Sequence, residues 1–438
     1  MHTVRPLVTR PFYWFFKKLT TSGFLLLSAT LLAMIWANLF PAAYNHLWHT
    51  PISISLGDLH LSKSLLHWID EALMTLFFFV VGLEIKREIM VGELSSVRKA
   101  ILPVAGAAGG MIVPALVYAM LNMGGEGAKG WGIPMATDIA FALAILSLIT
   151  KKVPFGVKIF LSALAIADDI GAVLVIALFY TTSIHWMSLG VAAFLLLGLA
   201  IANFFSVRTA VIYGLLGIGI WLAFLSAGIH ATVAGVLVAF FIPARGKYDT
   251  GKFYHEAHAL LERINCRNNK DCGHTILSNP DHLNAVMSIE LACHNTETPL
   301  QRLEHGLHAW VTYLIVPLFA MANAGVVIDW RGLDMMMTNS ITQGIILGLV
   351  IGKPLGIILF TWMASKTFNA PLGHGITWSH IFGAGCLAGI GFTMSIFITG
   401  LSFQDPILVD LAKVGIIAAS LLSTGAGLLI LSLSSKSR

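Results

Sequence analysis

A helix needs about 20 consecutive apolar residues to cross the hydrocarbon core of a bilayer. Runs of that length recur along almost the whole of this chain. Only 11% of the residues are charged and 57% are hydrophobic, whereas a soluble protein carries about 25% charged residues. The chain therefore reads as an all-α, multi-pass membrane protein and not as a soluble enzyme. About twelve spans are expected, at 20–40, 65–90, 100–121, 130–149, 156–181, 187–204, 208–225, 227–243, 307–328, 340–364, 377–400 and 406–433. The first run has no small-residue cleavage site, so it reads as an uncleaved span.

Lys and Arg orient the spans. With the N-terminus in the cytoplasm, nearly all of the 27 basic residues fall in the tail and loops of the inner side. The exceptions are Lys63, Lys129 and Arg331 outside, and Lys353 and Lys413 within spans. The net charge of +5 is dispersed over these loops and is no nucleic-acid signal. The four cysteines suggest no disulfide framework.

Two connections have content. Residues 52–62, "ISISLGDLHLS", alternate apolar and polar about Gly57-Asp58, a β-hairpin signal on the outer side. An isolated hairpin is marginal in water, so this one needs support from the chain or from a second copy. The inner connection, 244–306, is long and polar, with amphipathic stretches such as 253–264, and is expected to be partly helical.

Four charges stand where lipid tolerates them least. Asp138, Asp168, Asp169 and Lys353 fall inside spans. Each costs roughly 2.5–3.5 kcal/mol at the bilayer centre. Together they cost about 10–14 kcal/mol, comparable with the whole stability of a typical protein. One buried Asp–Lys pair that merely fixes helix packing would account for two of them. Three acids against one base leave excess negative charge, which points instead to an ion or proton path. Adjacent helical residues point about 100° apart, so Asp168 and Asp169 cannot both face one partner. One can reach Lys353 while the other faces a cavity. Two carboxylates so close titrate as a coupled pair. Such a pair can hold a proton or a hard cation, but not comfortably both.

Two spans are expected to be broken. In 130–146 Pro134 stands four residues before Asp138, and 383–400 carries Gly383, Gly385, Gly389 and Gly391. Proline removes a helical hydrogen bond and glycine weakens a helix. Interrupted hydrophobic segments in the two halves of a transporter mark its binding site. Each break leaves helix ends at mid-membrane. Asp138 suits their positive N-terminal ends and Lys353 their negative C-terminal ends.

Seven ordered blocks resemble the NhaA-type Na+/H+ antiporter family. They are "FFFVVGLEIKREIMVGEL", "PMATDIAFALAIL", "LSALAIADDIGAVLVIALFY", "SAGIHATVAGVLVAFFIP", "LFAMANAGV", "GKPLGI" and "AGIGFTMSIFI". The resemblance runs along essentially all the spans and implies one transporter domain over 1–438 with inverted repeats. It implies a bacterial inner-membrane protein with no cofactor, which exports Na+ or Li+ for entering H+. It also implies more protons in than cations out, activation at alkaline pH, and a homodimer joined through 52–62. Asp168 and Asp169 become the carriers of cation and proton, and Lys353 the partner that pairs when the cation is absent. Asp138 and Thr137 belong to the crossing of the broken helices. Glu84, Glu88, Glu304, His308 and, more weakly, His230 become candidates for pH response. The sequence by itself favours a plainer role for Glu84 and Glu88: a charge-paired helix end beside Lys86, Arg87 and Arg98.

The chain departs from that pattern in two places. Asp70-Glu71 stands where the family has Asn-Asp, and the 244–306 connection is long for the family. That connection carries Cys266, Cys272, His274, Cys293 and His294, whose spacing matches no standard zinc pattern. Reduced thiols and ordinary histidines are the better reading.

Three rivals fit less well. An intramembrane aspartyl protease would show GxGD at its second Asp, where this chain has "IADDIG", and would leave Lys353 unexplained. A channel builds rings of acids or carbonyls from symmetric subunits. An anion symporter would offer its substrate positive groups, not a negative site.

Overall fold

The computed structural model describes residues 9–56, 59–149, 153–181, 184–205, 207–264, 280–327, 333–373 and 375–434. The expected turn at Gly57-Asp58 lies outside the described residues, as do Lys151, Lys152, Cys266, Cys272, His274 and Arg331.

Helices dominate. In chain order they are α1 (Thr9–Leu39), α2 (Pro41–His49), α3 (Met74–Val91), α4 (Val97–Asn122), α5 (Ile139–Leu148), α6 (Phe155–Phe179), α7 (Trp186–Phe204) and α8 (Ala210–Ala227). There follow α9 (Ala231–Phe241), α10 (Thr250–Arg263), α11 (Pro280–Thr296), α12 (Pro299–Asn323), a short helix at Leu333–Thr338, α13 (Ser340–Thr367), α14 (Trp378–Ala388), α15 (Phe392–Ser402) and α16 (Pro406–Ser434). Such helices suit lipid because each satisfies its own backbone.

A helix lies on each of the twelve expected intervals, but they are not alike. Among the described residues seven helices are long and apolar enough to cross a membrane, or up to ten if each bent pair is one span. α3 carries Glu84, Lys86, Arg87 and Glu88 in its last turns. α9 has only 11 residues, about 16 Å of helix, which is too short to cross alone. α12 starts at Pro299, earlier than 307, because Thr298 and Gln301 form a capping box there. Glu304 and His308 therefore lie in the second and third turns of this helix.

Three helix pairs are bent: α1–α2 by 116°, the 3-10 segment Glu126–Met135 against α5 by 45°, and α14 against α15 by 47°. The last two were expected from Pro134 and the glycines. The first was not; Phe40 leaves the helical conformation and Pro41 restarts the helix.

The hairpin is present. Strands β1 (Pro51–Leu56) and β2 (Leu59–Ser64) pair antiparallel, with Ile54 opposite Leu61 and Leu56 opposite Leu59. That register leaves two residues for the turn, as the sequence implied. Beyond β2, Ser64 caps the helical turn Leu65–Trp68 that leads through a π-turn, Ile69–Leu73, into α3.

The insert is partly helical, as expected. α10 and α11 pack on each other. Its root is stitched by backbone bonds from Lys247 and Tyr248 to Asn295, and from Leu300 to Pro243. Arg208, from the α7–α8 connection, donates to the carbonyl of Gly246.

At the centre α4 and α13 cross in backbone contact. A methyl group on Gly109 would lie 2.1 Å from the carbonyl oxygen of Gly356, so only glycine fits there. This crossing brings the first residues after Gly352 against the two bent pairs.

Candidate ion-binding site

Each broken span ends one helix and starts another in mid-protein, and the chain must satisfy four ends there. It does so by crossing the breaks. Asp138 N–H donates to the Ile390 carbonyl at 2.7 Å. Thr137 Oγ1 donates to the Ala388 carbonyl at 3.0 Å, and Ser395 Oγ to the Ile133 carbonyl at 2.8 Å. The two breaks are thus joined backbone to backbone.

The charges follow the helix ends. Asp138 is the N-cap of α5 and accepts from Phe141 N–H at 2.9 Å. Its other oxygen accepts from Thr393 N–H at 3.1 Å and Thr393 Oγ1 at 2.5 Å, at the start of α15. One carboxylate therefore serves two positive helix ends. The Lys353 ammonium, fully buried, donates to the carbonyl of Met135, the last residue of the 3-10 segment.

Lys353 also donates to Asp168 Oδ2 at 2.9 Å, and this ion pair is completely buried. Asp168 Oδ1 has no hydrogen-bond partner. Asp169 is only 3% exposed. Its charged neighbours are Asp168, Glu84, Asp138 and Lys353, so one base faces an excess of acids. The twin carboxylates divide as helical geometry requires: Asp168 faces the lysine and Asp169 does not.

The other candidates fall into separate groups. Arg87 gathers three carboxylates: Glu304 at 2.5 Å, Glu88 at 3.2 Å and Glu84 at 3.9 Å. Lys86 does not share that role, contrary to the expectation of a common charge-paired end. It points the other way and donates to the carbonyls of Phe240 at 2.6 Å and Ile242 at 2.5 Å, at the end of α9. His308 Nδ1 lies 2.9 Å from Thr312 Oγ1, one turn along α12. His230 Nδ1 lies 3.7 Å from Glu71 Oε1, so the longer carboxylate at the Asp70-Glu71 departure has a partner. Asp70 accepts from Asn323 at 2.7 Å. In the insert His294 meets Arg302, Cys293 is an exposed thiol, and no metal-ligand cluster occurs among the described residues.

Sequence reasoning did not single out Thr393, the Met135 carbonyl, or the sharing of Arg87 among three acids. Thr393 had a signal: it lies two residues after Gly391, where a restarted helix needs its first donors satisfied.

Residues 14–431 match the family model described as Na+/H+ antiporter 1. The chain belongs to this family. It is 44% identical over 97% of its length to Na+/H+ antiporter NhaA 2 of Syntrophotalea carbinolica, covering 96% of that protein. It is 46% identical over 96% of its length to the NhaA antiporter of Oleidesulfovibrio alaskensis, covering 93% of it. With that of Salmonella arizonae it shares 44% over 94% of this chain and 95% of the relative. These NhaA relatives are transporters, and the chain is accordingly not an enzyme.

Proposed function

We propose that this protein exchanges Na+ or Li+ for H+ across a bacterial inner membrane, exporting the cation at alkaline pH, with no cofactor. Twelve spans related by inverted repeats form one domain over 1–438, with both termini in the cytoplasm. In this reading the hairpin at 52–62 joins two copies outside, and the enlarged 244–306 loop lies inside.

Asp168 and Asp169 carry the exchanged ions. Hard cations prefer carboxylate oxygens, and so do protons. With the site empty of cation, Lys353 neutralises Asp168. An arriving Na+ takes over the carboxylates and displaces the lysine. When the cation leaves on the other side, protons or the lysine return. Asp138 and Thr137 hold the crossing of the broken helices against their own end charges throughout. More protons enter than cations leave, so the cycle moves net charge. Glu84, Glu88 and Glu304, bound to one arginine, set the pH response by how many of the three are ionised together; His308 and His230 tune it.

The observation that carries this reading is the Lys353–Asp168 pair, buried at the crossing of two broken helices with a second carboxylate beside it. A structural ion pair has no need of Asp169. Everted vesicles test the reading. Added Na+ should release protons from a pre-acidified lumen, faster when the membrane potential is clamped by a permeant ion. Sodium entry without proton release would mean a channel and would overturn it.

A further inference from the structure

α13 contains a π-turn, Gly348–Gly352, closed by the amide of Lys353 itself, which donates to the Gly348 carbonyl five residues back. Its cause is in the sequence. Pro354 offers no N–H, and its ring would meet the carbonyl four residues earlier, at Val350. Widening the helix relieves that clash. The π-turn Val311–Ile315 in α12 likewise ends two residues before a proline, Pro317. A π-turn adds one residue to the helix and so turns everything beyond it by about 100°. Without it Lys353 would point away from Asp168.

The same turn is wedged between both breaks. A methyl group on Gly348 would lie 2.8 Å from Pro134 Cβ, in the residue before Met135. One on Gly389 would lie 2.5 Å from the Leu349 carbonyl, and Gly389 precedes Ile390, which takes the Asp138 amide. One on Gly352 would lie 3.1 Å from Pro114 Cα. The turn that aims the lysine therefore touches the residue next to its carbonyl partner in one break and bears directly on the other.

We infer that the Gly348–Gly352 π-turn, through the contact of Gly348 with Pro134, sets how Lys353 is shared between the Met135 carbonyl and Asp168. Gly348 is a positioning residue. This inference rests on the site proposed above. A methyl at Gly348 pushes Pro134 and Met135 off the turn, so the ammonium leans harder on Asp168. Sodium must then compete with a tighter lysine.

The test compares Gly348→Ala with Gly344→Ala in reconstituted vesicles at equal amounts of purified protein. Gly344 lies one turn earlier on α13, where an added methyl meets Asn122 and Tyr118 instead; these touch the start of the 3-10 segment at Gly127 and Gly130, not its end at Pro134. Gly348→Ala should raise the sodium concentration for half-maximal exchange by about two- to tenfold, the span that losing one ordinary hydrogen bond covers. Its maximal rate should change little. Gly344→Ala should lower the melting temperature without moving half-saturation. Unchanged half-saturation in Gly348→Ala, or an equal shift in Gly344→Ala, would overturn the inference. Should Gly348→Ala be too unstable to purify, Pro134→Gly takes its place: it clears the other side of the same contact, so half-saturation should fall instead of rise, and an unchanged value would overturn the inference. Asp169→Asn is run alongside. If it keeps full exchange, the proposed site itself is wrong. If it is inactive while the glycine variants are silent, only the positioning role fails.

Discussion

Lys353→Ala removes one ammonium and leaves two groups stranded. Asp168 then has no partner on either oxygen, since Oδ1 has none already. The Met135 carbonyl loses its donor at a helix end. Breaking a buried pair from one side costs about 3–5 kcal/mol. Unfolding entropy is about 2.1 cal/mol/K per residue, so for a chain of 438 residues this is a fall in melting temperature of at least about 3–5 °C. Helices that survive unfolding in detergent shrink that entropy and make the fall larger. The assay is thermal unfolding of purified protein in detergent, with equal amounts folded at the start. Asp168→Asn in the same chain removes the stranded charge, so the double variant should regain most of the loss. Lys353→Arg keeps a cation there and should melt between the two. If Lys353→Ala melts at the wild-type temperature, or the double variant is no better than the single one, the two side chains do not hold each other and the reasoning fails.

Asp138→Ala strips the cap from α5 and from Thr393 together. It should cost about 1–3 kcal/mol, because buried donors lose their acceptor. Circular dichroism melts should show the loss, and Asp138→Asn should restore part of it. Deleting 52–62 should turn a dimer into a monomer by light scattering while exchange in vesicles survives; a dimer that persists would remove the hairpin from the contact. Deleting 250–298 should leave exchange intact and shift its pH profile, since the root of the insert is tied to α9 beside Lys86 and to α12 below Glu304. Total loss of exchange would make the insert more than an accessory.

Much of this fold is legible in the chain because lipid allows so few alternatives. Apolar length located the seven long helices, and Pro134 and the glycines of 383–391 located two breaks. The cost of buried charge picked out Asp138, Asp168, Asp169 and Lys353. What adjacency conceals is which way a residue faces. Asp168 and Asp169 differ by one helical step, yet only Asp168 meets the lysine. Lys86 and Arg87 differ by one step, yet one holds the end of α9 and the other three carboxylates. Facing depends on where helices cross, and that rests on contacts such as Gly109 with Gly356, far apart in sequence. The π-turns were missed for a related reason: a hydropathy reading counts apolar residues and does not register one extra residue in a helical turn.

The central claim is that Na+ and H+ occupy the same buried carboxylates in turn. Asp169→Asn tests it most directly, because it removes one ionisable oxygen pair and almost no volume. Sodium-driven proton flux should be measured in everted vesicles across the alkaline range, for the wild type and for Asp169→Asn at matched amounts of folded protein. The account predicts no sodium-dependent proton release from the variant at any pH. Release at the wild-type rate and with the wild-type sodium dependence would contradict it.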